Sequence, residues 1–272
     1  KLPISALEAG ADIVVQSTHK TLPSFTQTSM IHVGTGRVDI DKLKDMSSLY
    51  QSTSPSYLFM ASLEIARAYM EGEGKERLEE SILMVDETIK ILENIDRVHI
   101  FTGDKEDKTI YAKDNTKILI RLDNMIGTNL ENILMKKYNI HLEMSDYYYA
   151  LILTSLMNEK KDFEKLINSV KHMAENSPCE EVIPVNINMP KPKIILPIYE
   201  AFYSNKKVID LKNSIGKISA SYAIPYPPGI PLICPGEEIT EELVEDIWFL
   251  MDKGIEIVGL IGYNKEKIEV VD

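Results

Sequence analysis

Apolar and polar positions change rhythm several times along the chain, and each change marks a different kind of element. Near the start, Ile13, Val14 and Val15 form a β-branched run, the pattern of a buried parallel strand. Residues 1–10 before it resemble the tail of a helix, with Gly10 as its stop. A polar cluster, Gln16-Ser17-Thr18-His19-Lys20, follows at once; Ser29 to Val33 then predicts a second strand and Gly34-Thr35-Gly36 a turn. From Ser56 the period becomes helical. Leu58, Ala61, Leu63, Ile65, Ala66 and Tyr69 mark one face, with Ser54 or Ser56 beside Pro55 as N-cap. After Glu71-Gly72-Glu73-Gly74, the spacing of Leu78, Ile82, Val85, Ile89 and Ile91 predicts a long charged helix over 75–94.

Residues 97–175 alternate between the two periods. Strands are expected at 98–101, 117–122 and 141–153, and helices at 129–138 and 161–175, a small α+β unit with an antiparallel sheet. A connection through 177–179 and 184–197 leads to a last section. It holds a helix at 197–205, the stretch Pro225-Tyr226-Pro227-Pro228-Gly229-Ile230-Pro231, a helix at 241–253 and a strand near 255–261. No repeat or low-complexity tract interrupts this order.

Composition narrows the function classes. The 272 residues are 44% hydrophobic and 26% charged, an ordinary globular balance, with a formal charge of −12. That charge argues against nucleic acid or an anionic membrane as partner. No apolar run reaches the roughly 18 residues of a membrane span, and the N-terminus lacks the hydrophobic stretch of a signal peptide, so a cytoplasmic location is expected. Cys179 and Cys234 are far apart and form no CxxC pair, which points to a reducing compartment. His32, His99, His141 and His172 show no ligand spacing, so no metal is expected. Tyr147-Tyr148-Tyr149 is expected to pack within a strand, Trp248 in the core, and Cys234 as a buried structural thiol; Glu143 and Asp146 are carboxylates on solvated strand positions or near a site mouth.

Lys20 is where chemistry concentrates. Ligands of open α/β sheets sit beyond the carboxyl ends of strands, and a lysine there, partly desolvated, is a more nucleophilic amine able to condense with a carbonyl. Spacing alone describes a solvated loop lysine equally well. The wording of the stretch goes further. Ala9-Gly10-Ala11-Asp12-Ile13-Val14-Val15-Gln16-Ser17-Thr18-His19-Lys20-Thr21-Leu22 closely resembles the lysine motif of the Orn/Lys/Arg decarboxylases. Two later stretches are similar to the same family in the same order: Ser52-Thr53-Ser54-Pro55-Ser56-Tyr57, and PYPPGIP at 225–231 followed by Pro235-Gly236-Glu237. The short Gram-positive-type arginine decarboxylases are the members it resembles most.

The resemblance implies an α/β fold: part of the large domain of a pyridoxal-phosphate enzyme of the aspartate aminotransferase type (fold type I), then a smaller α+β C-terminal domain. It implies residues 1–74 in the large domain with the Schiff-base lysine, 75–180 in a small α+β domain, and 181–272 in a C-terminal segment with PYPPGIP. Lys20 would bind pyridoxal 5'-phosphate and help transfer a proton. Ser17 would meet the phosphate, His19 would lie beside the phosphate or the lysine, and Thr53 and Ser54 would reach the phosphate from a partner subunit, helix capping being their other reading. PYPPGIP would shape the rim of the site or form a structural crossover. The implied reaction is decarboxylation of a small basic amino acid, arginine before lysine or ornithine, by a homodimer or higher homo-oligomer. Alternatives are a non-catalytic binding or assembly module derived from a decarboxylase, and another fold-type-I enzyme such as an aminotransferase.

Two departures temper this. The family's aspartate for the ring nitrogen, its ring-stacking residue and its phosphate loop all precede the lysine motif, and this chain starts 19 residues before Lys20. The expectation is a C-terminal portion that is inactive when isolated, completed by the missing N-terminal part. Ser221 also stands where family members commonly carry an acid, which leaves the choice of substrate open.

Overall fold

In the computed structural model, residues 4–103, 108–177, 182 and 193–272 are described. Cys179 and most of the 184–197 connection lie outside them. The chain divides into two compact units, Lys1–Ile118 with Ile152–Glu175, and Leu119–Leu151 with Asn176–Asp272. These discontinuous units differ from the linear three-part division expected from the sequence.

In the first unit, β1 (Ile13–Gln16) pairs antiparallel with β2 (Met30–Val33), Ile13 opposite Val33 and Gln16 opposite Met30. The expected buried parallel strand is therefore corrected: the sheet has two strands, and Ile13 and Val15 are 45% and 68% exposed. A β-branched run favours extended backbone but does not choose its partner. Here Asp12 does much of that, because its carboxylate accepts from Arg37 Nε (2.8 Å) and from the Thr35 hydroxyl beyond β2. Residues 6–10 form turns rather than a helix tail, ending at Gly10.

α1 (Thr18–Thr21) is a single helical turn, and α2 (Ile40–Tyr50) starts at Asp39, whose side chain accepts from Lys42 N. The periodicity did not indicate α2. α3 (Tyr57–Tyr69) is capped by Ser56, which accepts from Phe59 N; Ser54 is not its cap. The Glu71–Gly74 stretch does not break the helix. A π turn over Met70–Gly74 carries α3 directly into α4 (Lys75–Leu92). The Met70 side chain lies over Gly74, where a Cβ would meet its sulfur at 2.7 Å. α3 buries Ser62 and Ala66 and half-buries Leu63 and Tyr69, so the expected face is inward in part, while Leu58 and Ile65 are 71% and 66% exposed. α4 buries Ser81, Ile82, Val85, Thr88 and Leu92, and α6 (Lys160–Asn176) buries Phe163, Leu166, Val170 and Met173, both at helical spacing.

β3 (Val98–Ile100), β4 (Lys117–Leu122), β5 (Met144–Ser145) and β6 (Ala150–Leu153) form a sheet of order β3-β4-β6-β5, and the chain passes between units within β4 and β6. β4 alternates strictly, with Ile118, Ile120 and Leu122 inside. The strand expected over 141–153 is two, β5 and β6, paired antiparallel. The tyrosine run turns the corner between them instead of lying in a strand.

The second unit holds α5 (Gly127–Tyr138), α7 (Ile198–Tyr203), β7 (Lys206–Asp210), β8 (Ile224–Tyr226), α8 (Glu241–Asp252), β9 (Glu256–Val258) and β10 (Lys267–Val271). β10 pairs antiparallel with β7, and β8 with β9. Its core gathers Tyr147, Leu211, Ile233, Ile239, Ile247 and Ile257. Trp248 is 38% exposed and outside this core, because α8 turns Leu243, Val244, Ile247 and Leu250 inward.

Candidate functional site

β1 delivers the chain into α1 through Ser17, an extended residue with φ −71° and ψ 94°. Lys20 N donates back to Ser17 O (3.2 Å) and Leu22 N to Thr18 O (2.9 Å). One turn therefore carries Ser17, His19 and Lys20 together. Thr18 is buried at 4% exposure and pins the turn, while Ser17 and Lys20 are exposed and His19 is half-buried.

His19 has a defined orientation. Its Nδ1 lies 2.8 Å from Thr28 O. A carbonyl only accepts, so Nδ1 carries the hydrogen and a neutral ring keeps Nε2 as an acceptor. Thr28 is itself buried and donates from Oγ1 to Phe25 O (2.7 Å). Ser24 Oγ lies 2.8 Å from Thr28 Oγ1 and 3.1 Å from Ser62 Oγ, and Phe25 N donates to Ser62 Oγ (3.3 Å). Hydroxyls thus tie the lysine turn to α3. Sequence reasoning missed Ser24, Thr28 and Ser62; the available signal was a serine in the middle of the apolar helix face.

Thr53 and Ser54 are exposed between α2 and α3, where Ser54 N donates to Ser52 Oγ (3.1 Å). A cavity of about 1260 Å³ in the same unit is lined by Ser5, Glu8, Glu79, Ile82, Asp86 and Lys113, and takes in none of Ser17, His19 or Lys20. Burial pushes the Lys113 amine below its ordinary value, with Glu93 opposing that, and its Nζ donates to Phe101 O (2.7 Å).

The PYPPGIP stretch begins in β8 and turns at Gly229, whose φ of +95° suits glycine and whose N–H donates to Pro225 O (2.9 Å). Ser221 N donates to Ser219 Oγ (3.4 Å), while Ser221 Oγ is buried with no partner among the described residues. Cys234 is half-buried rather than buried, and its N–H donates to Glu237 Oε2 (2.8 Å). Burial, then the Glu237 carboxylate, pushes its thiol above the ordinary value, which suppresses the reactive thiolate. Glu143 is half-buried and Asp146 exposed. Among the described residues no group of three or more His, Cys, Asp or Glu is placed to hold a metal, and no helix is long and apolar enough to cross a membrane.

Residues 1–112 match the family profile "Orn/Lys/Arg decarboxylase, major domain", and residues 197–254 match "Orn/Lys/Arg decarboxylase, C-terminal domain". An arginine decarboxylase of Bacillus subtilis is 33% identical over 277 residues, covering 100% of this chain and 56% of that protein. The inducible lysine decarboxylase of Escherichia coli K12 is 27% identical, covering 84% of this chain and 43% of its own. The chain therefore spans about half the length of the curated relatives it matches. Among solved structures, the Francisella novicida lysine decarboxylase superposes with a TM-score of 0.77 at 23% identity, over 96% of this chain and 49% of that one. The constitutive lysine decarboxylase of E. coli gives 0.76 at 21% identity. The mixed α/β fold is shared with these proteins.

Proposed function

The chain belongs to the Orn/Lys/Arg decarboxylase family, and from that premise we propose that the protein removes the α-carboxyl group of a basic amino acid, releasing CO₂ and an amine. Arginine is the substrate in this reading, ahead of lysine and ornithine; the names of relatives at 33% and 32% identity support that order. The observation that carries the proposal is the single turn joining Ser17, His19 and Lys20 at the carboxyl end of β1, with His19 anchored on Thr28.

The groups on this turn suit pyridoxal 5'-phosphate: an amine for its aldehyde and a hydroxyl for its phosphate, with the imidazole beside the lysine. No carboxylate on the turn meets the ring nitrogen, and Asp12, close by in sequence, is engaged by Arg37 and Thr35. When bound, the cofactor supplies the electron sink for the pair left behind by CO₂. Lys20 Nζ anchors it and holds a proton for the substrate α-carbon. Ser17 binds the phosphate from one side, and Thr53 and Ser54 bind it from a second copy. His19, its Nδ1 committed to Thr28, keeps Nε2 for the site.

The second copy has a surface to occupy. Leu49, Tyr50, Tyr57 and Leu58 flank Thr53–Ser54 at 69%, 85%, 81% and 71% exposure, a concentration of apolar area that marks an interaction site. A homodimer or larger homo-oligomer working in the cytoplasm completes the reading.

Treating the full protein with pyridoxal phosphate and borohydride should leave a pyridoxyl label on the Lys20 peptide, read by mass spectrometry. Lys20→Ala should lose the label and CO₂ release together. A label that persists in Lys20→Ala overturns the assignment, and amino-group transfer without CO₂ release would replace decarboxylation with an aminotransferase.

A further inference from the structure

The loop after the lysine turn holds a strained residue whose side chain gives the fold nothing. Thr28 N donates to Phe25 O (3.2 Å), closing a turn over residues 25–28. Gln27, third in that turn, has a φ of +76°, the type II geometry that glycine or asparagine normally supplies. Four other described non-glycine residues have a positive φ, and each has a reason in residue type or contact. Asn124 and Asn139 are the residue type that tolerates it, and Arg97 and Lys265 anchor their side chains on Ala174 O and Glu256. The Gln27 carboxamide is exposed and has no partner among the described residues.

The turn is held at both corners. Phe25 N donates to Ser62 Oγ (3.3 Å) and Thr28 Oγ1 to Phe25 O (2.7 Å), while Thr28 O accepts from His19 Nδ1 (2.8 Å). Thr26 and Gln27 form its exposed tip, one residue from the carbonyl on which His19 rests. Gln27 is thus carried on the same hydrogen-bonded piece as Ser17, His19 and Lys20. A left-handed conformation is costly for a residue with a Cβ, and strain of this kind collects where a ligand is held.

A carboxamide offers two N–H donors without a charge, so it can serve an anion beside Lys20 and leave the amine to its own chemistry. The site read above receives two anions, the phosphate of the cofactor and the α-carboxylate of the amino acid. We propose that Gln27 is a further binding residue of that site, its carboxamide donating to an oxyanion of this class. This rests on the reading of Lys20 as the lysine that holds the cofactor. In this arrangement the left-handed backbone sets the direction of the carboxamide.

The test uses Gln27→Gly in the full protein, with three readouts. These are thermal unfolding of the cofactor-free protein, borohydride labelling of Lys20 against pyridoxal phosphate concentration, and CO₂ release against arginine concentration. Glycine relieves the turn, so the unfolding midpoint should rise by about 2 °C. Binding should move the other way, with one half-saturating concentration rising about tenfold, the loss expected for a hydrogen bond to a charged group. A rise in the pyridoxal phosphate value identifies the phosphate as the anion, and a rise in the arginine value alone identifies the carboxylate. Gln27→Glu, which repels an anion, should weaken binding further than glycine does. A midpoint that falls together with binding makes Gln27 structural and overturns the proposal. So does a Gln27→Glu protein that binds as well as the unsubstituted one. If Lys20 is labelled and both concentrations stay unchanged in Gln27→Gly, this inference alone fails. If Lys20 takes no label in the unsubstituted protein, the inference falls with the reading beneath it.

Discussion

The ring of His19 rests on a carbonyl whose own residue is fixed by hydroxyls. Thr28, Ser24 and Ser62 form the chain, and Ser62 contributes most to it: it accepts from Phe25 N, lies against Ser24 Oγ and donates to Phe59 O (2.9 Å). Ser62 is 6% exposed, and its loss removes its part-buried bonds with Phe25 N, Ser24 and Phe59 O, each worth about 0.5–1.5 kcal/mol. Ser62→Ala should therefore lower stability by about 1–2 kcal/mol in a denaturant titration and weaken pyridoxal phosphate binding several-fold. An unchanged denaturation midpoint would remove Ser62 from this network. Lys20 could be singled out from the sequence because its whole neighbourhood has a recognisable wording. Ser62 could not. Its partners Ser24 and Phe25 come 38 and 37 residues earlier, and nothing in a helical pattern says which serine on the inner face meets them.

At the scale of elements, β4 shows how a strand is entered. Asp114 Oδ1 accepts from Thr116 N (2.9 Å) and Thr116 Oγ1 (2.6 Å), and its other oxygen meets Lys117. Burial by itself would raise the carboxyl, but the bonds from Lys117 and Thr116 outweigh it and hold the group below its ordinary value. A carboxyl lowered on folding contributes stability above the unfolded value and loses it as pH falls through the folded one. Asp114→Asn should therefore cost about 0.5–1 kcal/mol near pH 7, discounted because both groups are about one-third exposed. The difference should shrink as pH falls below about 4. Equal pH dependence in the two proteins would count against the ion pair. The helices α4, α5, α6 and α8 were legible because their burial follows a local period. β7 and β10 were not, since Lys206 pairs with Val271 across the whole C-terminal section. Neither strand carries a signal of its own for so distant a partner.

At the scale of the whole molecule, the exposed apolar positions around Thr53–Ser54 bear on assembly. Leu58→Glu changes a side chain that is 71% exposed, so the fold should tolerate it within about 0.5 kcal/mol. In the full protein it should shift sedimentation from dimer towards monomer and weaken cofactor binding with it. An unchanged sedimentation coefficient would place the interface elsewhere. The family and the mixed α/β class were readable in the chain, because contiguous motifs and short periods encode them. The antiparallel partner of β1, the π turn that fuses α3 to α4 and the hydroxyls behind His19 came only with the tertiary structure. Each depends on residues far apart in sequence brought together by burial, and no local pattern specifies which distant groups meet.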